Sequence, residues 1–222
     1  MKIATWNLER LDKNKNHLIL AKLIEVNADI LVLTETNSII SLNNYVCIST
    51  ENLPPEFDSV KYKPGENRTS IWTKYKVITK WQTYDNFTNV CAEIESPFGI
   101  LTVYGTIIGV FAHKQPRFDI DLKGNLEDFE KYFSGRQVCI AGDFNVMFSG
   151  FAYPSRKARK TLNDSFKKYN LINTTASIEK NIDHIVLSNN LLEGRKTIIE
   201  TWNQDKKLSD HIGLCLTLNE DL

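Results

Sequence analysis

An acid and an amide stand two residues apart in the stretch Gly142, Asp143, Phe144, Asn145, directly after the apolar run Val138 to Ala141. Alternate residues of an extended chain face one way, so Asp143 and Asn145 can point together from the end of a buried strand. The same device recurs along the chain. Asn7 and Glu9 end a first apolar run, Glu35 ends a second, Asp183 opens a later one, and Asp210 with His211 opens the last. Tyr104 and Thr106 lie within another such run. Singly, each residue is explained as well by a turn former, a helix cap, a solvated strand end or a structural histidine. The ensemble says more. If the strand ends converge, Glu9, Glu35, Asp143, Asp183 and Asp210 share one cleft. Crowded carboxylates cannot all stay ionised without a cation. An all-oxygen donor set with room for water suits Mg²⁺ or Mn²⁺ better than zinc. Such an ion also lets an acidic pocket receive a phosphate. The residues point to phosphate chemistry.

Rigid elements must position these groups. Short runs rich in β-branched and aromatic residues, at 2–8, 29–36, 70–75, 90–95, 100–108, 137–143, 182–188 and 212–218, have the length and composition of strands. Pro97 and Gly99 place a hairpin reversal between two of them. Helical periodicity appears at Leu18, Ala21, Leu23 and Ile24, at Leu122, Leu126, Phe129 and Phe133, and at Ala158, Leu162, Phe166 and Tyr169. Ser155 is placed to cap the third of these helices. The stretches 51–69 and 109–119 read as loops. Many strands with few helices predict an α/β chain in which two packed sheets carry helices on the outside. No repeat or linker divides the 222 residues, so one domain over 1–222 is expected.

Composition narrows the function classes. The formal net charge is zero, which excludes general polyanion binding by the whole surface. A nucleic-acid contact would rest on a local patch or a bound cation. Cys47, Cys91, Cys139 and Cys215 are far apart and form no paired metal-binding spacing, so free thiols are expected. No apolar leader or bilayer-spanning run is present, and a cytoplasmic location without membrane partners is the expectation.

The blocks IATWNLERL, ILVLTETN, LTVYGT, IAGDFNV, NIDHIVLS and LSDHIGLCLTL together resemble, in order and spacing, the endonuclease/exonuclease/phosphatase superfamily. The resemblance runs from residue 2 to 218 and is closest to the exonuclease III and deoxyribonuclease I branches. It implies a four-layered α/β/β/α sandwich with the active site at one rim of the two sheets. It also implies roles. Glu35 would be the principal metal ligand, with Glu9 a second and Asp210 in support. Asn7 and Asn145 would hold the substrate phosphate, and Asp143 would orient and deprotonate the attacking water. His211 would stabilise the phosphoryl oxygens, with Asp183 fixing its tautomer, and Tyr104 matches a phosphate-contacting tyrosine. The implied activity is metal-dependent hydrolysis of phosphodiester bonds, with DNA or RNA as substrate and partner. A phosphatase or lipid phosphodiesterase on the same scaffold is the alternative, and a non-catalytic binding module the third reading.

Two features depart from the relatives. Thr106 and Ile107 stand where deoxyribonuclease I-like members carry a histidine, and His113 is read as a loop residue. His184 follows Asp183, and strand alternation turns it to the opposite face. The substrate-gripping inserts of larger members are also absent. Arg156, Lys157, Arg159 and Lys160 follow the catalytic strand end closely enough to track a nucleic-acid backbone, and Arg68 matches a place where relatives often carry a basic residue near the rim. A solvated helix start explains the cluster equally well.

Overall fold

A computed structural model describes residues 1–10, 14–109 and 114–220. The chain begins with β1 (Lys2–Asn7), α1 (Asn16–Val26), β2 (Ile30–Asn37) and β3 (Val46–Ser49). A small hairpin, β4 (Glu56–Phe57) and β5 (Val60–Lys61), precedes β6 (Glu66–Thr73) and β7 (Lys76–Trp81). Then come β8 (Val90–Ser96), β9 (Gly99–Ile107), α2 (Arg117–Tyr132), β10 (Gln137–Asp143) and α3 (Arg156–Lys168). The chain closes with β11 (Leu171–Asn173), β12 (Asp183–Ser188), α4 (Asn189–Leu192), β13 (Arg195–Trp202) and β14 (Gly213–Glu220).

Two six-stranded mixed sheets result. The first has the order β13-β14-β1-β2-β6-β3 and the second β11-β12-β10-β9-β8-β7. Each holds one parallel pair, β1 with β2 and β9 with β10, flanked by antiparallel neighbours. Alternation along the strands decides which side chains meet. Ile3, Val32 and Ile71 of the first sheet pack against Val103, Ala141 and Ile185 of the second in the core between the layers. The intervening residues face outward. Ala4, Leu31 and Leu33 meet Ile19 and Leu23 of α1, while Tyr104, Ile140 and Val186 meet Phe129 of α2 and Leu162 of α3. The expected sandwich of helices, two sheets and helices is therefore present. Ser155 caps α3 by accepting from the Ala158 amide at 3.1 Å.

The 51–69 stretch is more ordered than its composition predicts. It holds the β4–β5 hairpin, and β6 starts at Glu66 rather than near residue 70. Three edge strands, β3, β7 and β13, also carry no strong sequence signal. In β7 half-buried residues alternate with exposed ones, lysines among them, and β13 is exposed for most of its length. An edge strand needs few apolar residues and is kept from pairing with other chains by such charges.

Candidate functional site

The strand alternation that builds the core also aims the rim. Ile3, Thr5 and Asn7 share one face of β1, so the residue that ends the strand looks into the seam between the sheets. Cys139, Ala141 and Asp143 do the same on β10, as do Leu187, Ile185 and Asp183 on β12. Asp143 and Asp183 are direct cross-strand partners. Regular alternation would turn Glu35 the other way, with Leu31 and Leu33, toward α1. Its backbone instead adopts a left-handed φ of 48°, and Asn145 likewise has a φ of 50°. Non-glycine residues in this region carry strain that the surrounding fold must hold. Here the strain coincides with side chains brought to the seam.

The resulting cleft has a volume of about 410 Å³ and is lined at one end by Glu35, Asp143, Asn145, Asp210 and His211. Asn7, fully buried, bridges the two sheets: its Nδ2 donates to Glu35 Oε1 and to Asp143 Oδ2, each at 3.2 Å. The Asn145 backbone N–H donates to Asp143 Oδ1 at 2.9 Å, and the Asn145 amide donates to the Ile108 carbonyl at 3.1 Å. His211 Nδ1 pairs with Asp183 Oδ2 at 2.6 Å. Ser209, which the sequence reading passed over, locks this segment to β1. Its hydroxyl donates to the Asn7 carbonyl at 2.6 Å and accepts the His211 backbone N–H at 3.1 Å. Trp6 Nε1 adds a bond to the His211 carbonyl at 3.0 Å.

Electrostatics follow from this crowding. Burial, above all, pushes the Asp143 carboxyl up to about 7. Asp183 and Glu35 push the same way, and His211 and the Asn145 N–H oppose them. Glu35 is raised by desolvation against its Asn7 bond and His211. For His211, burial disfavours the cation, but the Asp183 pair, Asp143 and Asp210 outweigh it and raise the imidazole to about 10. The histidine is therefore an imidazolium at neutral pH. A divalent cation fits this end of the cleft. Its donors are carboxylate oxygens, burial raises both Glu35 and Asp143 despite the nearby imidazolium, and Asp183 Oδ1 is buried without a partner. Among the described residues, Asp143, Asp183 and His211 present ligand atoms within 4.8 Å of one another.

Other expected site residues lie elsewhere. Tyr104 does not reach the cleft: it alternates with Val103 and points outward, fully buried against Phe129 and Phe133, with its hydroxyl donating to Asp128 at 2.7 Å. Glu9 lies past the end of β1 in a left-handed conformation, and its carboxylate accepts the Asp210 backbone N–H at 3.1 Å. It does not share the Glu35 position. Arg68 does line the cleft, yet its guanidinium is buried and engaged with Asp58, Thr88 and Tyr62. Arg159 is spent holding the carbonyls of Met147, Ser149 and Phe151, and Lys160 pairs with Asp164. Arg156 and Lys157 are exposed in the first turn of α3, and Arg156 shares a surface hollow with Phe151 of the preceding loop. His184 faces away from the cleft and packs edge-on against Phe144 and Phe148. His113 lies outside the described residues.

Known proteins with this architecture are numerous. The endonuclease domain of TRAS1, a telomere-specific non-LTR retrotransposon, superposes with a TM-score of 0.72 at 14% identity, over 98% of this chain and 97% of that one. An AP endonuclease from Archaeoglobus fulgidus gives 0.71 at 14% identity over 99% of both chains. The 3′ phosphatase NExo from Neisseria, bound to product DNA hairpin, gives the same score, identity and coverage. At such identity these matches speak for the fold. Comparison of the sequence with curated proteins finds no match. The model of the Endonuclease/Exonuclease/phosphatase family matches residues 4–211, nearly the whole chain including every residue of the rim, and the protein belongs to that family.

Proposed function

We infer that the chain is a divalent-metal-dependent phosphodiesterase that cleaves nucleic acid. The observation that carries this reading is the Asn7 bridge, which joins Glu35 on one sheet to Asp143 on the other beside the His211–Asp183 pair. Hydrolysis of a phosphodiester needs a positioned water, neutralisation of charge on the phosphoryl oxygens and help for the leaving group. The first two needs have residues. Asp143, with a carboxyl near neutrality, orients the water and takes its proton. His211, kept cationic by Asp183, donates from Nε2 to a phosphoryl oxygen. Asn7 and Asn145 hold Asp143 in aim, and their amides would contact the phosphate by exchanging these bonds for ones to its oxygens. Glu35, with Asp210 at the exposed edge, would hold Mg²⁺ or Mn²⁺. Such an ion supplies Lewis-acid neutralisation of the phosphate charge.

Nucleic acid is favoured over other esters by the exposed Phe151 on the loop that leaves β10 and the exposed Arg156 and Lys157 that open α3 directly after it. Of the relatives named above, two are endonucleases by name and the 3′ phosphatase is bound to product DNA hairpin. The test is hydrolysis of single- and double-stranded DNA, abasic DNA, RNA, inositol phosphates and sphingomyelin with Mg²⁺ or Mn²⁺. Cleavage of a nucleic acid is expected, lost on chelation and reduced at least a thousandfold in Asp143→Asn. Undiminished turnover in that variant overturns the assignment to Asp143, and activity confined to phosphomonoesters or lipids overturns the choice of substrate.

A further inference from the structure

The cleft takes Val60 of the β4–β5 hairpin as one wall. The chain that leaves its catalytic end, residues 146–155 between β10 and α3, builds a second surface outside it. Three aromatic side chains lie on this loop, and two are accounted for by their surroundings. Phe148 stacks on Phe166 at 5.8 Å and meets His184 edge-on. Tyr153 is half-buried. Burial, and after it the charge of Asp143, raise its hydroxyl above the ordinary value, so this part of the loop runs beside the catalytic carboxylate. Phe151 is 81% exposed, and among the described residues no other large apolar side chain is exposed as far.

Lone apolar side chains are common on surfaces. This one differs because its backbone is held in place. The Arg159 guanidinium donates to the carbonyls of Met147 at 2.6 Å, Ser149 at 3.2 Å, Gly150 at 3.2 Å and Phe151 at 2.7 Å. The Met147 N–H closes the loop on the Tyr153 carbonyl at 2.8 Å, and the Ser149 hydroxyl anchors it to the Ile178 carbonyl at 3.0 Å. A bare ring fixed in water by so many bonds adds nothing to the core, and it is preorganised for a flat apolar face. Its neighbours say what that face carries. Phe151 shares an open hollow of about 750 Å³ with Arg156, Lys160 and Asn163. Lys160 is paired with Asp164, whereas Arg156 and the adjacent Lys157 have no ion pair among the described residues. An exposed π face beside two free cations matches a base and the phosphate next to it. Two cations in one helical turn follow one backbone, and a continuous duplex leaves no base face open to the ring. Phe151 follows Asn145 by six residues, so the two are at most about 20 Å apart. That keeps the ring within a few nucleotides of the scissile phosphate.

We propose that Phe151 is a stacking platform for an unpaired base of the substrate, while Arg156 and Lys157 hold the phosphate beside it. Single strands and unpaired ends are then taken in preference to continuous duplex. The platform rests on the nucleic-acid reading of the neighbouring cleft and gives its substrate a form.

The test is binding, read by fluorescence anisotropy of short labelled probes in Mg²⁺ with the Asp143→Asn chain. The probes are oligothymidylate, the same backbone with abasic sites throughout, and a fully paired hairpin. Oligothymidylate is expected to bind about tenfold more tightly than the abasic strand. Phe151→Ala and Phe151→Leu remove that difference, and Phe151→Trp keeps it, because only a ring face stacks. Arg156→Gln with Lys157→Gln weakens both strands alike. It also flattens the dependence of log affinity on log salt by about 1.4, at about 0.7 per phosphate contact on a single strand. A difference that survives Phe151→Ala overturns the platform and leaves the nucleic-acid reading standing. Equal losses on hairpin and single strand in Phe151→Ala mark a wedge in a groove and overturn the preference for unpaired bases. An unchanged salt dependence overturns the phosphate contacts. Base-dependent binding that needs Phe151 supports the platform even in a chain that cleaves nothing, and no binding of any strand rejects it.

Discussion

Gly142→Ala should disable the site without touching a single reactive group. Gly142 has a φ of +134°, and a Cβ built on it would stand 2.0 Å from the backbone oxygen of Thr106, its direct partner on β9. Contacts of that kind are essentially never below 3.0 Å, so the strands must part by about 1 Å at this point. The obstacle is backbone, and no side chain can swing aside. Loss of the local ladder bond, overpacking and an L-residue in a glycine conformation together put the cost at about 3–5 kcal/mol. The neighbouring residue is Asp143, the proposed water-orienting group, and a displacement of about 1 Å at such a group costs on the order of a hundredfold in rate. Urea unfolding would give the stability term. Turnover of a cleaved oligonucleotide with Mg²⁺, measured well below the melting transition, would give the second. A variant within about 1 kcal/mol of the parent that keeps full turnover would refute both the packing reading and the dependence of Asp143 on the strand end.

Two further outcomes are expected. Tyr104→Phe removes a buried hydroxyl from Asp128 and should cost about 1–2 kcal/mol in urea unfolding while leaving kcat and KM unchanged; a hundredfold fall in kcat would return Tyr104 to the reaction. His184 is held neutral by burial, its pKa lowered to about 4, with Nε2 on the Val146 carbonyl and Nδ1 on the Thr175 hydroxyl. The unfolded chain takes up this proton near pH 6.5 and the folded chain only near 4, so stability falls as pH drops through that window, by about 3 kcal/mol. Buried carboxylates titrate with the opposite sign, so the clean measure is the difference between wild type and His184→Gln at pH 7 and pH 4. Equal losses in the two proteins would contradict it.

Much of this site is legible in the amino-acid sequence, because strand alternation carries geometry. Asn7, Asp143 and Asp183 each fall on the seam face that period-two counting assigns, and His184 on the other. Three things are not legible for physical reasons. The turn of Glu35 toward the seam depends on a left-handed backbone that nothing in its residue type announces. Tyr104 lies in an apolar run beside a polar motif, and only the register of β9 against β10 shows which layer its ring enters. The hairpin wall of the cleft is written in a stretch rich in Pro, Gly and charge. It is tied by ion pairs, Arg68 with Asp58 within the stretch and Arg10 with Glu66 from outside it, which have no periodicity to read.

The Asn7 amide spans two layers that share no strand hydrogen bonds at that point, so the distance between its two acceptors is set by how the sheets slide over one another. Chemistry at this rim is thus a gauge of interlayer registry. A partly melted form with every strand intact and the layers loosened would keep all its reactive side chains and still be inert. The temperature at which the molecule stops working should lie below the one at which its secondary structure is lost.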